Sequence, residues 1–295
     1  VSSFVIFCLV VIGALLSGAT MAYPLYLLIT FFTEISFPDA IIASTQFCGL
    51  IFSLLYLKFI STLDLKTIGL QPFRNKQLRM AGWGFIAGLI IILMLAMSLL
   101  ITNVYGFHVG RDTTISKILV LLISALATGI IVSVFEEIVF RGALLQGLYK
   151  NTSVLIAVIS TSIIYALLHF IDYPDTADGE VINFFTALTQ FIPAYSNLLS
   201  IENYDAFLTL FILGVLFAMI RIKTNSIIQC IFLHAGIVAG IKLFRYFLVY
   251  TPNSTYDFIV SSHDHRLGFM AIFWIALATV LYYFIILRKH KNNSH

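Results

Sequence analysis

The stretch SVFEEIVFRGALL, Ser133 to Leu145, sets two glutamates and an arginine inside a long apolar run. From residue 117 to residue 149 the only other charge is Lys117, at the very start. A run of that length is a candidate membrane span, since about 20 apolar residues cross a bilayer as a helix. An ionised side chain at the bilayer centre costs about 2.5–3.5 kcal/mol on insertion scales. Three such groups within six positions must therefore neutralise one another, or perform chemistry inside a protein interior.

The rest of the chain agrees with the membrane reading. Of its 295 residues 60% are hydrophobic and 11% charged, whereas soluble domains carry about 25% charged residues. This predicts an all-α, polytopic helical bundle forming a single integral membrane domain over residues 1–295. It leaves no basic surface suited to nucleic acid. Eight apolar stretches are expected as transmembrane helices, at about 3–30, 39–60, 80–102, 117–149, 153–170, 205–222, 225–249 and 267–287. The first is read as a retained span, because no Lys or Arg precedes the small-residue run Ser17–Ala22. The three cysteines, Cys8, Cys48 and Cys230, lie in apolar runs with no CxxC partner and read as buried hydrophobes.

Charge placement orients the spans. Lys58, Lys66, Arg74, Lys76 and Arg79 follow the second stretch, Lys150 the fourth, Arg221 and Lys223 the sixth, and Arg288, Lys289 and Lys291 the eighth. With eight alternating spans all four links fall on one side, the cytoplasmic one. The opposite side receives Asp172, Asp175, Asp178, Glu180, Glu202 and Asp205; Arg111, Lys242 and Arg245 run against the pattern. Both termini are then cytoplasmic, and a bacterial inner membrane is the expected location. The link 61–79 alternates Leu63, Leu65, Ile68, Leu70 and Phe73 with basic residues, as an interfacial piece would. The outer segment 171–204 carries an apolar run of its own and predicts a re-entrant or interfacial helix ending near Pro193. The chain shows no internal repeat, low-complexity tract or nucleotide-binding glycine motif.

Helical spacing sorts the polar residues. Glu137 and Arg141 are four apart with the acid first, the preferred order for an ion pair on one helix face. Glu136 is turned about 100° away and has no equally good local partner, as a general base requires. Tyr165 and His169 in YALLHF share a face, and His234 stands in the otherwise apolar CIFLHAGIVAG. Ionisable residues inside a membrane usually face the bundle interior and each other. A lone membrane histidine is more often a hydrogen-bonded core residue, and Glu137–Arg141 reads as structural. Two histidines and an unpaired glutamate on three helices point instead to one polar cavity. His263, His265, His290 and His295 fall in loops or the tail and read as surface residues.

EEIVFR is similar to the EExxxR motif of the CAAX-protease and bacteriocin-processing family of intramembrane endopeptidases, also called Abi proteins. YALLHF resembles that family's second motif. FILGVLFAMIRIKTNSIIQCIFLHA, Phe211–Ala235, resembles its third and fourth. The resemblance spans about 117–240, the expected catalytic core helices. It implies an intramembrane glutamic endopeptidase without a cofactor, acting on a membrane-tethered protein or peptide. It further implies that Glu136 activates water, His169 assists and His234 holds the oxyanion, with Glu137, Arg141 and Tyr165 orienting the site. One departure stands out: the family's fourth motif often continues to Asn or Asp four residues after its histidine, where this chain has Val238. Asn225, Gln229 or a backbone amide are the candidates to replace that donor. Two alternatives remain open: a zinc peptidase with Glu136, His169 and His234 as ligands, and a non-catalytic immunity or scaffold protein of the same family.

Overall fold

The computed structural model describes residues 3–60, 64–72, 74–176, 181–195 and 201–292. Leu63 and Phe73 of the basic link, Asp178 and Glu180 of the outer segment, and His295 lie outside them. The chain folds into α1 (Ser3–Thr30), α2 (Phe37–Ile60), a one-turn α3 (Leu65–Ile68) and α4 (Asn75–Ile101). After β1 (Tyr105–Phe107) comes α5 (Ile115–Glu137), which passes through a π-helical turn, Ile138–Leu144, into α6 (Leu145–Tyr149). There follow α7 (Val154–Leu168), the short α8 (Thr186–Thr189) and α9 (Phe191–Ala194), α10 (Tyr204–Thr224), α11 (Ile228–Phe247), β2 (Leu248–Tyr250) and α12 (Phe269–Asn292).

Among the described residues six helices are long and apolar enough to cross a membrane, counting Ile115–Tyr149 as one; Val154–Leu168 and Phe269–Ile285 are shorter apolar helices. Together they account for the eight expected stretches. The protein is a helical integral membrane bundle. Its α5 shows how the bundle is built. Leu121, Ala125, Gly129, Ser133 and Glu137 recur every four residues and are buried, so they form one ridge. Leu119, Val120, Ile123 and Ile131 on the other faces stay exposed, which suits lipid. On the ridge, a Cβ at Gly129 would lie 2.6 Å from the Ala235 oxygen. Likewise, a Cβ at Gly88 would run into the Leu233 carbonyl, and one at Gly236 into the Phe85 carbonyl. Small residues thus let α11 lie against α4 and α5 almost backbone to backbone, the usual device where no hydrophobic drive separates helix from lipid.

Elsewhere α10 packs between α7 and α12, and the α1–α2 hairpin leans on the π turn and α6. Three features differ from the sequence expectations. Among its described residues the amphipathic link contains only the one-turn α3, because Asn75–Arg79 join α4 instead. Asp64 caps α3 through Thr67 N, and Ile68 packs against Gly142 of the π turn. Among its described residues the outer segment holds two single α turns, α8 and α9, with Pro193 inside the second, and a 3₁₀ turn at Ile201–Asn203, rather than one longer helix. The two α turns pack on α1 and α2 through Phe37, Ile41, Tyr173 and Ala187. Finally, β1 and β2 pair antiparallel, Tyr105 opposite Tyr250, and tie the α4–α5 link to the end of α11.

Candidate active site

Glu137 ends α5 with no exposed surface, and Arg141, one turn later, is 3% exposed. Arg141 Nη1 donates to Glu137 Oε1 at 3.2 Å, the pair that the four-residue spacing calls for. The guanidinium carbon lies 4.4 Å from the centre of the Tyr165 ring, 4.7 Å from Phe217 and 5.6 Å from Phe140. Nη2 reaches the Gly214 carbonyl at 3.4 Å. Three π faces and a carboxylate thus compensate the buried cation. Tyr165 belongs to this cage, which gives it a packing role.

From α11, His234 brings Nδ1 to 3.0 Å from the same Glu137 oxygen. A carboxylate oxygen already fixed by a guanidinium accepts, so Nδ1 carries the proton. Nε2 is left pointing at Glu136, 3.9 Å from its Oε2. That is too long for a hydrogen bond but within reach through one water. Local spacing could not reveal the Glu137–His234 bond, because its partners are 97 residues apart. The His234 ring is 4% exposed and stacks on Phe217 at 5.2 Å. It therefore stands behind Glu136 rather than in a cavity wall.

Glu136 presents Oε2 to this cluster, and that buried oxygen accepts no hydrogen bond from the protein; nor do Glu137 Oε2, Ser133 Oγ and Ser162 Oγ make one. Beside Glu136 opens a cavity of about 250 Å³ that Glu136 and His169 both line. His169 closes the C-terminal end of α7 with its side chain exposed. Its Nδ1 lies 2.7 Å from the Tyr165 carbonyl, so Nδ1–H donates there and Nε2 remains an acceptor. The opposite wall comes from α1 and α2, including Ala14, Thr45, Gln46 and Ser53, with Tyr173 also in the lining. Burial pushes the Tyr173 hydroxyl above its usual range, so it remains a neutral donor. The α2 wall was not singled out from sequence. Its trace is a run of small or polar residues, Thr45, Gly49 and Ser53, at four-residue spacing in an apolar helix.

The replacement donors for the missing fourth-motif amide are placed elsewhere. Asn225 sits in the left-handed turn that ends α10, φ 51°, where its carbonyl accepts from Gln71. Gln229 lies against Gly84 of α4. Val238 is partly buried one turn beyond His234. Among the described residues no three His, Cys, Asp or Glu side chains converge as a metal-ligand set. His263 and His265 are exposed, the latter stacked on Tyr250 at 4.1 Å; neither lines the cavity.

Residues 118–240 match the family model described as type II CAAX prenyl endopeptidase Rce1-like. The match covers less than half of the chain and is to the CAAX-protease family whose motifs the sequence resembles, at family level one of membrane endopeptidases. The matched segment contains α5 from its first turn, the π turn, α7, α10 and half of α11; α1, α2 and α4 lie outside it. Comparison with curated proteins gives no match, nor does comparison with solved structures.

Proposed function

We propose that the protein is an intramembrane glutamic endopeptidase that hydrolyses a peptide bond of a membrane-tethered protein or peptide, without a metal. The observation that carries this reading is the division between the two adjacent glutamates. Glu137 is taken up by Arg141 and His234, while Glu136 keeps a buried oxygen without a partner beside a cavity shared with His169.

In this reading a water between Glu136 and His169 loses a proton to Glu136 as its oxygen attacks the carbonyl carbon. The carbonyl oxygen gains the charge, and His234, standing behind Glu136, acts on it through a bridging water. Collapse of the intermediate breaks the C–N bond, and the proton held by Glu136 passes to the leaving amine. Glu137, Arg141 and Tyr165 hold the geometry. The alternating charge of the links supports cytoplasmic termini in a bacterial inner membrane.

Replacing Glu136 by Gln or His169 by Ala should reduce cleavage of a co-expressed membrane-tethered substrate by about 10²–10⁴-fold, the usual contribution of a positioned base, with protein amounts unchanged. Cleavage retained by Glu136→Gln refutes the proposal. A non-catalytic role is the second reading, and Val238 favours it, since one lost oxyanion donor costs about 10²–10³ in rate. A Val238→Asn variant that gains measurable hydrolysis over an inert parent would decide for it.

A further inference from the structure

A peptide cannot be cut while it is helical, because its backbone blocks access to the scissile carbonyl. Unwinding it exposes N–H and C=O groups that lipid cannot satisfy. An enzyme that works inside the membrane must therefore offer those groups partners near its base. The wall facing Glu136 and His169 carries such partners. On α2, Thr45, Gly49 and Ser53 recur every four residues, with Gln46 beside the first, and all four line the cavity.

Many polar residues in the bundle bond to backbone carbonyls; those on this wall, like Ser133 and Ser162 elsewhere, do not. Ser44 donates to the Gly18 carbonyl, and Ser98, Thr161 and Thr279 donate to carbonyls one turn back, all at 2.8 Å. Ser53, by contrast, is 2% exposed and makes no hydrogen bond among the described residues. Thr45 also lines the cavity, but its Oγ1 is buried in the α1–α2 seam beside Gly18. Gln46 is exposed nine residues into α2, about 14 Å along the helix, and its amide is likewise unbonded. An amide left free at that depth is costly unless something else takes its hydrogen bonds.

We infer that Gln46 and Ser53 form a rail that binds the main chain of an extended, apolar substrate segment and holds its scissile carbonyl against Glu136. The inference rests on the endopeptidase reading. Gln46 offers both a donor and an acceptor, so it can pair with one residue of an extended strand. Gln46 and Ser53, seven residues apart, share one face of α2, and Gly49 between them meets nothing within 4 Å, which leaves the backbone room to approach. The apolar residues of α1 and the π turn, such as Ala14, Val139 and Leu144, take the substrate's side chains. The rail belongs to α2, outside the family-matched segment, so it supplies selectivity rather than the shared chemistry.

The test uses the full chain in lipid nanodiscs, with Glu136→Gln as background so that binding is read without turnover. The probe is a fluorescent synthetic peptide of about 20 apolar residues with a central Gly-Ala pair, and a set of copies each N-methylated at one central amide. Gln46→Leu and Ser53→Ala should each weaken binding roughly threefold to tenfold, the worth of one hydrogen bond. N-methylation at one position should weaken binding to the background protein yet cost nothing more in Gln46→Leu. Thermal stability of these variants should hold or rise, because unbonded polar groups are removed. Unchanged affinity in both variants, or an N-methyl penalty that persists in Gln46→Leu, overturns the rail. Saturable binding that depends on Gln46, combined with cleavage that survives Glu136→Gln, keeps the rail and overturns the glutamate mechanism.

Discussion

Substituting Glu137 by Gln changes charge and almost nothing else. The amide oxygen can still accept one hydrogen bond, from Arg141 or from His234, which now meet at the same oxygen. The loss is the carboxylate that neutralises a guanidinium 3% exposed. Breaking a buried pair from one side costs about 3–5 kcal/mol, because the surviving charge is uncompensated. The rings of Phe140, Tyr165 and Phe217 do not soften this cost, since they contact Arg141 before and after the change. With one hydrogen bond kept, about 3 kcal/mol is expected, the low end of that range. Equilibrium unfolding in mixed micelles would measure it. The decisive comparison is the double variant Glu137→Gln with Arg141→Met, which removes both charges and fills the aromatic cage with a side chain of similar length. It should be more stable than Glu137→Gln alone, giving a coupling of about 2 kcal/mol or more between the two sites. Glu136→Gln, whose Oε2 meets no partner, should leave stability near that of the parent. A Glu137→Gln protein as stable as the parent, or a double variant no better than the single one, would refute the assignment of Glu137 as the neutralising member.

Three further outcomes are expected. A cysteine at position 66 should resist an impermeant thiol reagent in intact cells while one at position 175 labels, since both positions are exposed and the charge pattern puts them on opposite sides; the reverse result inverts the topology. Gly236→Val should prevent stable folding, because its Cβ would meet the Phe85 carbonyl, which cannot yield as a side chain could; normal yield and melting would mean that α4 and α11 are not in backbone contact. The bond from Thr67 N holds the Asp64 carboxyl below the usual carboxylate range, so its capping of α3 is fully present above the unfolded-state pKa and is lost as pH falls through the lower folded one. Amide exchange at residues 67–70 should accelerate over that acidic interval, and Asp64→Asn, which keeps a capping oxygen, should remove the dependence.

The apolar stretches were legible because lipid imposes length and composition on each span independently of its neighbours. Their ends were less so. α10 runs on to Thr224 because Asn225 takes the left-handed conformation that stops it, and α11 then starts only at Ile228. Asn75–Arg79 could be read as link because they are polar, yet they extend α4 with Gln77 turned inward. The Glu137–Arg141 pair could be read off because both partners lie on one helix turn. The hydrogen bond of His234 to Glu137, the place of His234 behind rather than within the cavity wall, and the contribution of α2 depend on how distant helices pack, and no local period encodes that. The candidate replacements for the absent amide, Asn225 and Gln229, suited the chemistry but lie on other surfaces of α11 and its preceding turn.

The π turn at Ile138–Leu144 also constrains how this chain can diverge. Such a turn holds one residue more than an α-helix would use, and it commonly marks functional sites. Each residue added to or removed from a helix rotates the downstream part by about 100°. Deleting any one residue between 138 and 141 would leave a continuous, apolar helix of nearly the same length. It would also turn α6 by about 100° away from the α1, α2 and α7 surfaces it contacts. Across descendants of this chain, single-residue gaps in that interval should be purged even where substitutions are tolerated, so the indel record would trace the site more sharply than residue identity does.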